Sequence, residues 1–80
     1  MVVEILSEAT ALKDRISKFS IYENFGIKYY LVIDPEKETV EIYCLENSKY
    51  LLQNFSPENP FAFSLSDDCK IDVVLKNIWE

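Results

Sequence analysis

Two short segments of the chain are apolar on both faces of a strand, and the stretch between them has the spacing of a helix. The segments are Val-Val-Glu-Ile-Leu at residues 2–6 and Lys-Tyr-Tyr-Leu-Val-Ile at residues 28–33. Such runs are typical of strands that are covered on both sides. A strand, a helix and a strand with short connections form a βαβ unit, in which the strands are parallel and the crossover is right-handed. The sequence therefore predicts an α/β fold.

A helix is predicted over residues 11–24, between the two strands. Thr10 is a suitable N-cap, and Gly26, the only glycine in the chain, is suited to end the helix. Spacings of four, three and four residues give it one largely apolar stripe, made of Leu12, Ile16, Phe19 and Glu23. A polar ridge recurs every four residues beside this stripe and consists of Asp14, Lys18 and Tyr22.

The second half of the chain has the patterns of antiparallel strands. The expected elements are a turn at 34–38, a strand at 39–45, its hairpin partner at 49–55, a short strand at 61–65 and a helix at 73–79. In the 39–45 strand, Glu41 and Tyr43 are expected on the half-exposed face. Asp72 is the predicted cap of the terminal helix. The expected fold is a single domain over residues 1–80, a βαβ unit followed by antiparallel strands and a short C-terminal helix.

Composition excludes several classes of protein. Eight basic residues against fourteen acidic ones, a net charge of −6, argue against a free-standing nucleic-acid-binding module, because such proteins neutralise phosphates with Lys and Arg. Two cysteines and no histidine leave too few ligands for structural zinc. Both cysteines are expected to be buried and reduced, as in a cytoplasmic protein. No signal peptide or membrane-spanning run is evident, so no membrane partner is expected.

The position of the first strand is unusual, because a strand that is apolar on both faces begins directly after Met1. An open, hydrophobic strand edge is a template for pairing with another chain. One interpretation is an N-terminal strand that is paired on one edge only. The other is a truncated domain, or a domain that another chain completes. We expect self-association, as a homo-oligomer held together through this strand.

Glu4 is out of place in the first strand, because it shares a face with Val2 and Leu6. A carboxylate there is costly unless it is paired or holds a metal, or unless it reaches solvent at the strand end. Lys18 has two interpretations. It can form an exposed ion pair with Asp14, which contributes a few tenths of a kcal/mol. Alternatively it can reach Glu4, because the helix must pack over the first strand.

At these residues the sequence resembles the Uma-type putative restriction endonucleases, a bacterial family of the PD-(D/E)XK nuclease superfamily. The resemblance spans nearly the whole chain and rests on the run of Val-Val-Glu-Ile-Leu-Ser at 2–7, Thr10, Asp14, Lys18, Tyr22, Gly26, Tyr29 and Val-Ile-Asp-Pro at 32–35. It implies that this chain is the C-terminal portion of a truncated restriction-endonuclease-like fold.

The resemblance also implies a hydrolase mechanism. In this superfamily two acids on adjacent strands hold Mg²⁺, which activates a water for phosphodiester hydrolysis, and a lysine stabilises the developing charge. Glu4 matches the second acid, as catalytic residue and metal ligand. Lys18 matches the catalytic lysine, with Asp14 and Tyr22 in support. Glu8 stands where the family usually has proline, and the family's first acid lies upstream. Mg²⁺ binding is therefore expected to be weak or absent.

Two functions follow as hypotheses. The chain is a fragment of a Mg²⁺-dependent endonuclease that is inactive alone, and nucleic acid is a partner only of the full-length domain. Alternatively, it is a catalytically dead, homodimeric interaction protein that keeps the fold. A third possibility, an acidic mimic of DNA, rests on the net charge alone.

Overall fold

The computed structural model of the chain describes residues 1–7 and 12–79, with the side chains of residues 1–7 and 16–79. The described elements are β1 (Val2–Ile5), α1 (Leu12–Asn24), β2 (Tyr29–Asp34), β3 (Thr39–Glu46), β4 (Lys49–Leu52), β5 (Pro60–Ser66), β6 (Cys69–Val74) and a 3₁₀ helix (Leu75–Trp79). The predicted mixed α/β class is confirmed. Residue 11 and the predicted N-cap Thr10 lie outside the described residues. No helix within the described part of the chain is long and apolar enough to cross a membrane.

Four strands form the main sheet in the order β1-β2-β3-β4. β1 lies parallel to β2, whereas β2, β3 and β4 pair antiparallel in sequence. The strands β5 and β6 form a separate antiparallel hairpin. Two hydrogen bonds attach this hairpin to the sheet at Ser64. Its backbone N–H donates to the Tyr29 hydroxyl at 2.9 Å, and its carbonyl accepts from Lys28 Nζ at 2.6 Å.

The two faces of the main sheet carry two different cores. On one face, α1 contributes Phe19 and Tyr22 to a cluster around Tyr30, Val32 and Tyr50. On the other face, the hairpin and the 3₁₀ helix cover the sheet, and the buried residues there are Tyr29, Leu31, Ile42, Phe63 and Leu75. Since β2 has neighbours on both edges and layers on both faces, all its residues from 29 to 33 are buried.

The prediction that β1 is also covered on both sides is wrong. Val3 and Ile5, on the face opposite the helix, are 48% and 63% exposed. β1 is the end strand of the sheet, and the described part of the chain covers it only on the helix side, where its residues are partly buried. Its sequence nevertheless carries aliphatic residues on the uncovered face. Both interpretations given above leave this face of β1 uncovered within the described residues, so truncation or completion by another chain stays a prediction.

Gly26 ends α1 as predicted. Its φ of 74° lies in the left-handed region, which glycine enters without a steric cost. The N–H of Gly26 donates to the carbonyl of Glu23, and the N–H of Ile27 donates to the carbonyl of Tyr22. This pair of bonds is the Schellman motif, which satisfies carbonyls that the helix end would otherwise leave without donors. The chain then enters β2 after two residues.

Two predictions for the C-terminal half are wrong. Asp72 does not cap a helix, because it lies in β6 opposite Ala62, and only a 3₁₀ helix of five residues follows. The hairpin partner of β3 ends at Leu52 instead of residue 55. Phe55 instead packs edge-on against Phe61, with ring centroids 5.8 Å apart, in the core on the hairpin side. The N–H of Gln53 still donates to the carbonyl of Ile42, after which the chain leaves β3 and Phe55 reaches this core.

The cysteines lie in two different environments, and neither forms a disulfide. Cys44 is partly buried in β3, and burial is the main cause that raises the pKa of its thiol. Cys69 is exposed at the start of β6, so the expectation that both are buried is wrong for Cys69. It occupies a turn-adjacent position in the hairpin, where no layer covers it.

Candidate functional site

Glu4 lies on the face of β1 that α1 covers. Side chains alternate along a strand, so Glu4 shares this face with Val2 and Leu6, both of which pack against the aromatic core on the helix side. The register places Glu4 beside Val32 of β2. Only 17% of the Glu4 side chain is exposed. A carboxylate in such surroundings needs a partner, because the neighbouring aliphatic groups cannot hydrogen-bond to it.

Lys18 is the partner of Glu4. Its Nζ donates to Glu4 Oε1 at 2.7 Å, a distance typical of a charge-assisted hydrogen bond. The expected contact between Lys18 of the helix and Glu4 of the strand is therefore present. Lys18 is 41% exposed, so the pair lies at the margin of the core with its cationic end near the surface. The catalytic roles of the two residues stay a prediction.

The structure describes only one of the two side chains that are predicted to support Lys18, that of Tyr22 and not that of Asp14. The side chain of Asp14 lies outside the described part of the structure. Tyr22 lies within the aromatic cluster, where its ring contacts that of Tyr30 edge-on at 5.2 Å. Tyr22 therefore helps to hold α1 against β2. Whether it also orients the ammonium of Lys18 stays a prediction.

A second carboxylate, that of Glu41, lies on the same side of the sheet as Glu4. Its sequence pattern predicts the half-exposed face of its strand. Glu41 of β3 lies beside Val32, so Glu4, Val32 and Glu41 form one row across three strands. The two glutamates are separated by two strand spacings, about 10 Å between Cα atoms. Tyr43 donates from its hydroxyl to Glu41 Oε2 at 2.9 Å. No signal in the sequence gives this row, because it depends on the register of three strands.

An aromatic cluster fills the space beside this row and fixes the helix over it. The ring of Phe19 contacts those of Tyr30, Tyr43 and Tyr50 edge-on, with centroid distances of 5.1–6.2 Å. Edge-to-face contacts of this kind contribute about 0.5–1.5 kcal/mol each beyond the burial of their area. The site thus lies on a rigid packed surface.

Tyr50 and Glu23 hold the other flank of the helix. The backbone N–H of Tyr50 donates to Glu23 Oε2 at 2.8 Å, and its hydroxyl donates to the carbonyl of Ile27 at 2.6 Å. Burial, together with the negative charge of Glu23, raises the pKa of Tyr50 to about 12. The hydroxyl therefore stays protonated and keeps its hydrogen bond throughout the physiological range of pH.

A complete magnesium site does not fit these residues. No group of three or more Asp, Glu, His or Cys side chains that could hold a metal occurs within the described residues. Mg²⁺ takes six oxygen ligands in a near-ideal octahedron, usually one or two carboxylates with waters and substrate phosphates. Glu4 offers one carboxylate, and one oxygen of that carboxylate is bonded to Lys18. The arrangement can contribute one acidic ligand and one cation to a site, and not more.

The sequence matches a known protein family over most of its length. A model of the Uma2 family, described as putative restriction endonuclease, matches residues 1–71 of the 80 residues. The matched part contains β1, α1, β2, β3, β4 and β5, and hence both Glu4 and Lys18. No curated protein matches the chain.

Proposed function

This chain belongs to the Uma2 family of putative restriction endonucleases, and from that premise we propose that it carries half of a Mg²⁺-dependent site for phosphodiester hydrolysis. In this proposal the fold is the C-terminal portion of a PD-(D/E)XK nuclease domain. Glu4 serves as one metal ligand, and Lys18 serves as the cation that stabilises charge developing on the phosphate. The chain does not cut nucleic acid by itself.

The contact between Lys18 and Glu4 is the observation that carries this proposal. Their side chains come from a helix and a strand, 14 residues apart, and meet at 2.7 Å. An ammonium that is fixed in advance beside a carboxylate loses little free energy to reorganisation when a negative charge develops nearby. Since 41% of Lys18 is exposed, a phosphate can approach it from solvent.

The incomplete set of ligands is the reason to propose that the chain is inactive alone. Hydrolysis in this superfamily needs two acids on adjacent strands, as the family resemblance implies, and Glu4 is the second of them. β2, the described neighbour of β1, carries Val32 beside Glu4. The family's first acid would therefore come from a strand on the other side of β1. With a net charge of −6, the chain also needs a basic surface from elsewhere in a longer domain to hold nucleic acid.

A titration with Mn²⁺, followed by NMR, tests the metal half of the proposal. We expect weak binding, with a dissociation constant in the millimolar range, that broadens the amide signals of β1 and β2 around Glu4. Glu4→Gln should abolish this broadening, and Glu58→Gln, in an exposed loop, should not. Lys18→Met should strengthen binding several-fold, because it frees the carboxylate oxygen that the ammonium now occupies. Equal broadening at Glu4 and at the exposed turn of residues 35–38 would contradict the proposal.

A cleavage assay on plasmid DNA with Mg²⁺ tests the other half. The purified chain should leave the plasmid intact. Cleavage that is lost in both Glu4→Gln and Lys18→Met would assign the catalytic residues correctly and refute the proposed inactivity. Cleavage that survives both substitutions would refute the assignment.

A second candidate function, a homodimeric interaction protein without nuclease chemistry, is favoured by the exposure of Val3 and Ile5 on β1. In that case Glu4 and Lys18 serve stability alone. If Glu4→Gln leaves the broadening of the amide signals by Mn²⁺ unchanged, this second function is better supported than the first.

A further inference from the structure

We propose that Glu23 is a positioning residue for the candidate site, because its bond to β4 sets the rotation of α1 about the helix axis and so holds the ammonium of Lys18 at Glu4. The inference rests on the proposed function of Lys18 and extends it to a residue at the opposite margin of the sheet. Since its test needs neither metal nor nucleic acid, the two proposals can fail separately.

Glu23 is the charged member of the apolar stripe of α1, and its side chain is only 17% exposed. Its Oε2 accepts the backbone N–H of Tyr50 at 2.8 Å, and its Oε1 lies 4.0 Å from Nζ of the largely exposed Lys49. An apolar side chain here would bury more hydrophobic surface without the cost of a desolvated charge. β4 is an outer strand of the sheet within the described residues, so its outward N–H could bond to water instead. Burial alone therefore does not explain this carboxylate.

Lys18 and Glu23 lie at the two limits of the surface by which α1 contacts the sheet. An α-helix has about 3.6 residues per turn, so successive residues are about 100° apart around its axis. With Lys18 as the origin, Glu23 lies at about 140°. Tyr22 and Phe19, which pack into the aromatic cluster, lie between them at about 40° and about 100°. The contact surface of the helix thus has an aromatic centre and one charged residue on each flank.

The aromatic centre holds α1 against the sheet, and the bonds on the flanks decide its rotation. Apolar burial is non-directional, whereas a hydrogen bond is directional and keeps its donor and acceptor about 2.7–3.2 Å apart. Side chains extend about 5–6 Å from the helix axis, so a rotation of about 20° moves their ends by about 2 Å. Such a movement would break the 2.7 Å contact of Lys18 with Glu4. The bond between Glu23 and β4 opposes it.

The strand residue to which Glu23 bonds is itself firmly held. Tyr50 is buried, and its backbone pairs with that of Leu45 in β3. Its hydroxyl donates to the carbonyl of Ile27, just beyond the end of α1. A helix side chain that bonds to the amide of Tyr50 is therefore fixed relative to the whole sheet.

NMR of the lysine ammonium groups tests the proposal. At low temperature and mildly acidic pH, ammonium protons bonded to a carboxylate exchange slowly with water, and Lys18→Met assigns the signal of Lys18. Glu23→Ala should speed this exchange several-fold. Glu23→Asp keeps the charge but is one methylene shorter, so it should lose the bond to Tyr50 and have the same effect. Glu23→Gln, whose amide oxygen can accept the same N–H, should keep the slow exchange.

Two control variants separate positioning from a general loss of stability. Lys49→Met removes the cation 4.0 Å from Glu23 and keeps the bond to Tyr50. Val73→Ala weakens the core on the other face of the sheet. Both should leave the exchange of the Lys18 ammonium unchanged.

Three results would overturn the proposal. They are slow exchange at Lys18 that persists in both Glu23→Ala and Glu23→Asp, fast exchange in Glu23→Gln, and fast exchange in the unmodified chain. An effect of Val73→Ala as large as that of Glu23→Asp would also overturn it, since stability alone would then explain both. If Glu23→Ala does not fold, the comparison of Glu23→Asp with Glu23→Gln gives the answer.

The Mn²⁺ titration provides a second readout. Glu23→Ala should tighten Mn²⁺ binding at Glu4 several-fold, as Lys18→Met does, and should add nothing when combined with Lys18→Met. An additive effect in the double variant would contradict an action through Lys18. Absence of Mn²⁺ binding together with the expected ammonium exchange would refute the metal site and support the positioning by Glu23.

Discussion

Replacing Lys18 with methionine removes the ammonium that lies 2.7 Å from Glu4 Oε1. The new side chain has nearly the same volume, so the packing of the helix changes little. The carboxylate of Glu4, whose side chain is only 17% exposed beside Lys18, then lies at the margin of the core without this partner. Val2 and Leu6, its neighbours on the same face of β1, cannot donate a hydrogen bond to it.

The magnitude follows from the exposure of the two partners. Exposed ion pairs contribute about 0.2–1 kcal/mol to stability. A buried polar group that loses its partner costs about 1–3 kcal/mol. Glu4 is mostly buried but Lys18 is 41% exposed, so water can partly replace the ammonium. We therefore expect Lys18→Met to lower the free energy of unfolding by about 1–2 kcal/mol, a sizeable part of the roughly 4–12 kcal/mol typical for 80 residues.

Urea denaturation of four proteins measures this coupling: the unmodified chain, Lys18→Met, Glu4→Gln and the double variant. Protein concentration must be held constant, because self-association would shift the midpoint. The coupling free energy should be about 1 kcal/mol. Lys37→Met, in an exposed turn, is the matched control and should change stability by less than about 0.5 kcal/mol. A coupling indistinguishable from zero would show that the contact stabilises nothing and would remove the structural basis of the proposed site.

Two further predictions concern the flanks of α1. The pKa of Tyr50 is raised to about 12 from its ordinary value of 10, because burial disfavours the phenolate. The unfolded chain ionises first, so the stabilisation is fully present below pH 10 and falls by about 3 kcal/mol at most as pH rises from 10 to 12. A urea midpoint that falls equally in Tyr50→Phe would contradict this. Gly26→Ala should cost about 1–2 kcal/mol in the same assay because φ is 74°, and the cost is conformational alone since no atom lies within 4 Å of an added Cβ. Gly26→Asn, which tolerates this conformation, should cost less, and equal stability of all three proteins would refute the reasoning.

The elements of the first half could be predicted because local and tertiary signals agree there. Residues 29–33 are apolar throughout, and all five of them are buried in β2. Gly26 is the only glycine and lies in the left-handed region, at a φ of 74°, where glycine has no steric cost. The contact of Lys18 with Glu4 is one of the two interpretations that the sequence offers, because a helix that connects two parallel strands must lie over them.

The second half could not be predicted in the same way, because long-range packing decides it. Residues 69–74 pair with β5, a partner that their own pattern does not specify, and this pairing converts the predicted cap Asp72 into a strand residue. The row of Glu4, Val32 and Glu41 depends on the register of three strands. Likewise, the aliphatic residues of β1 indicate burial, but the sequence does not state which layer would bury Val3 and Ile5.

The bond from the Tyr50 amide to Glu23 also determines how α1 is attached to the sheet. β4 is the last strand on its side of the sheet among the described residues, and its Tyr50 N–H points away from β3 to the carboxylate of a helix residue. On the opposite margin, the ammonium of Lys18 from the same helix bonds to Glu4 of β1. In mechanical terms, α1 is therefore a brace that is fastened to both outer strands of the four-stranded sheet.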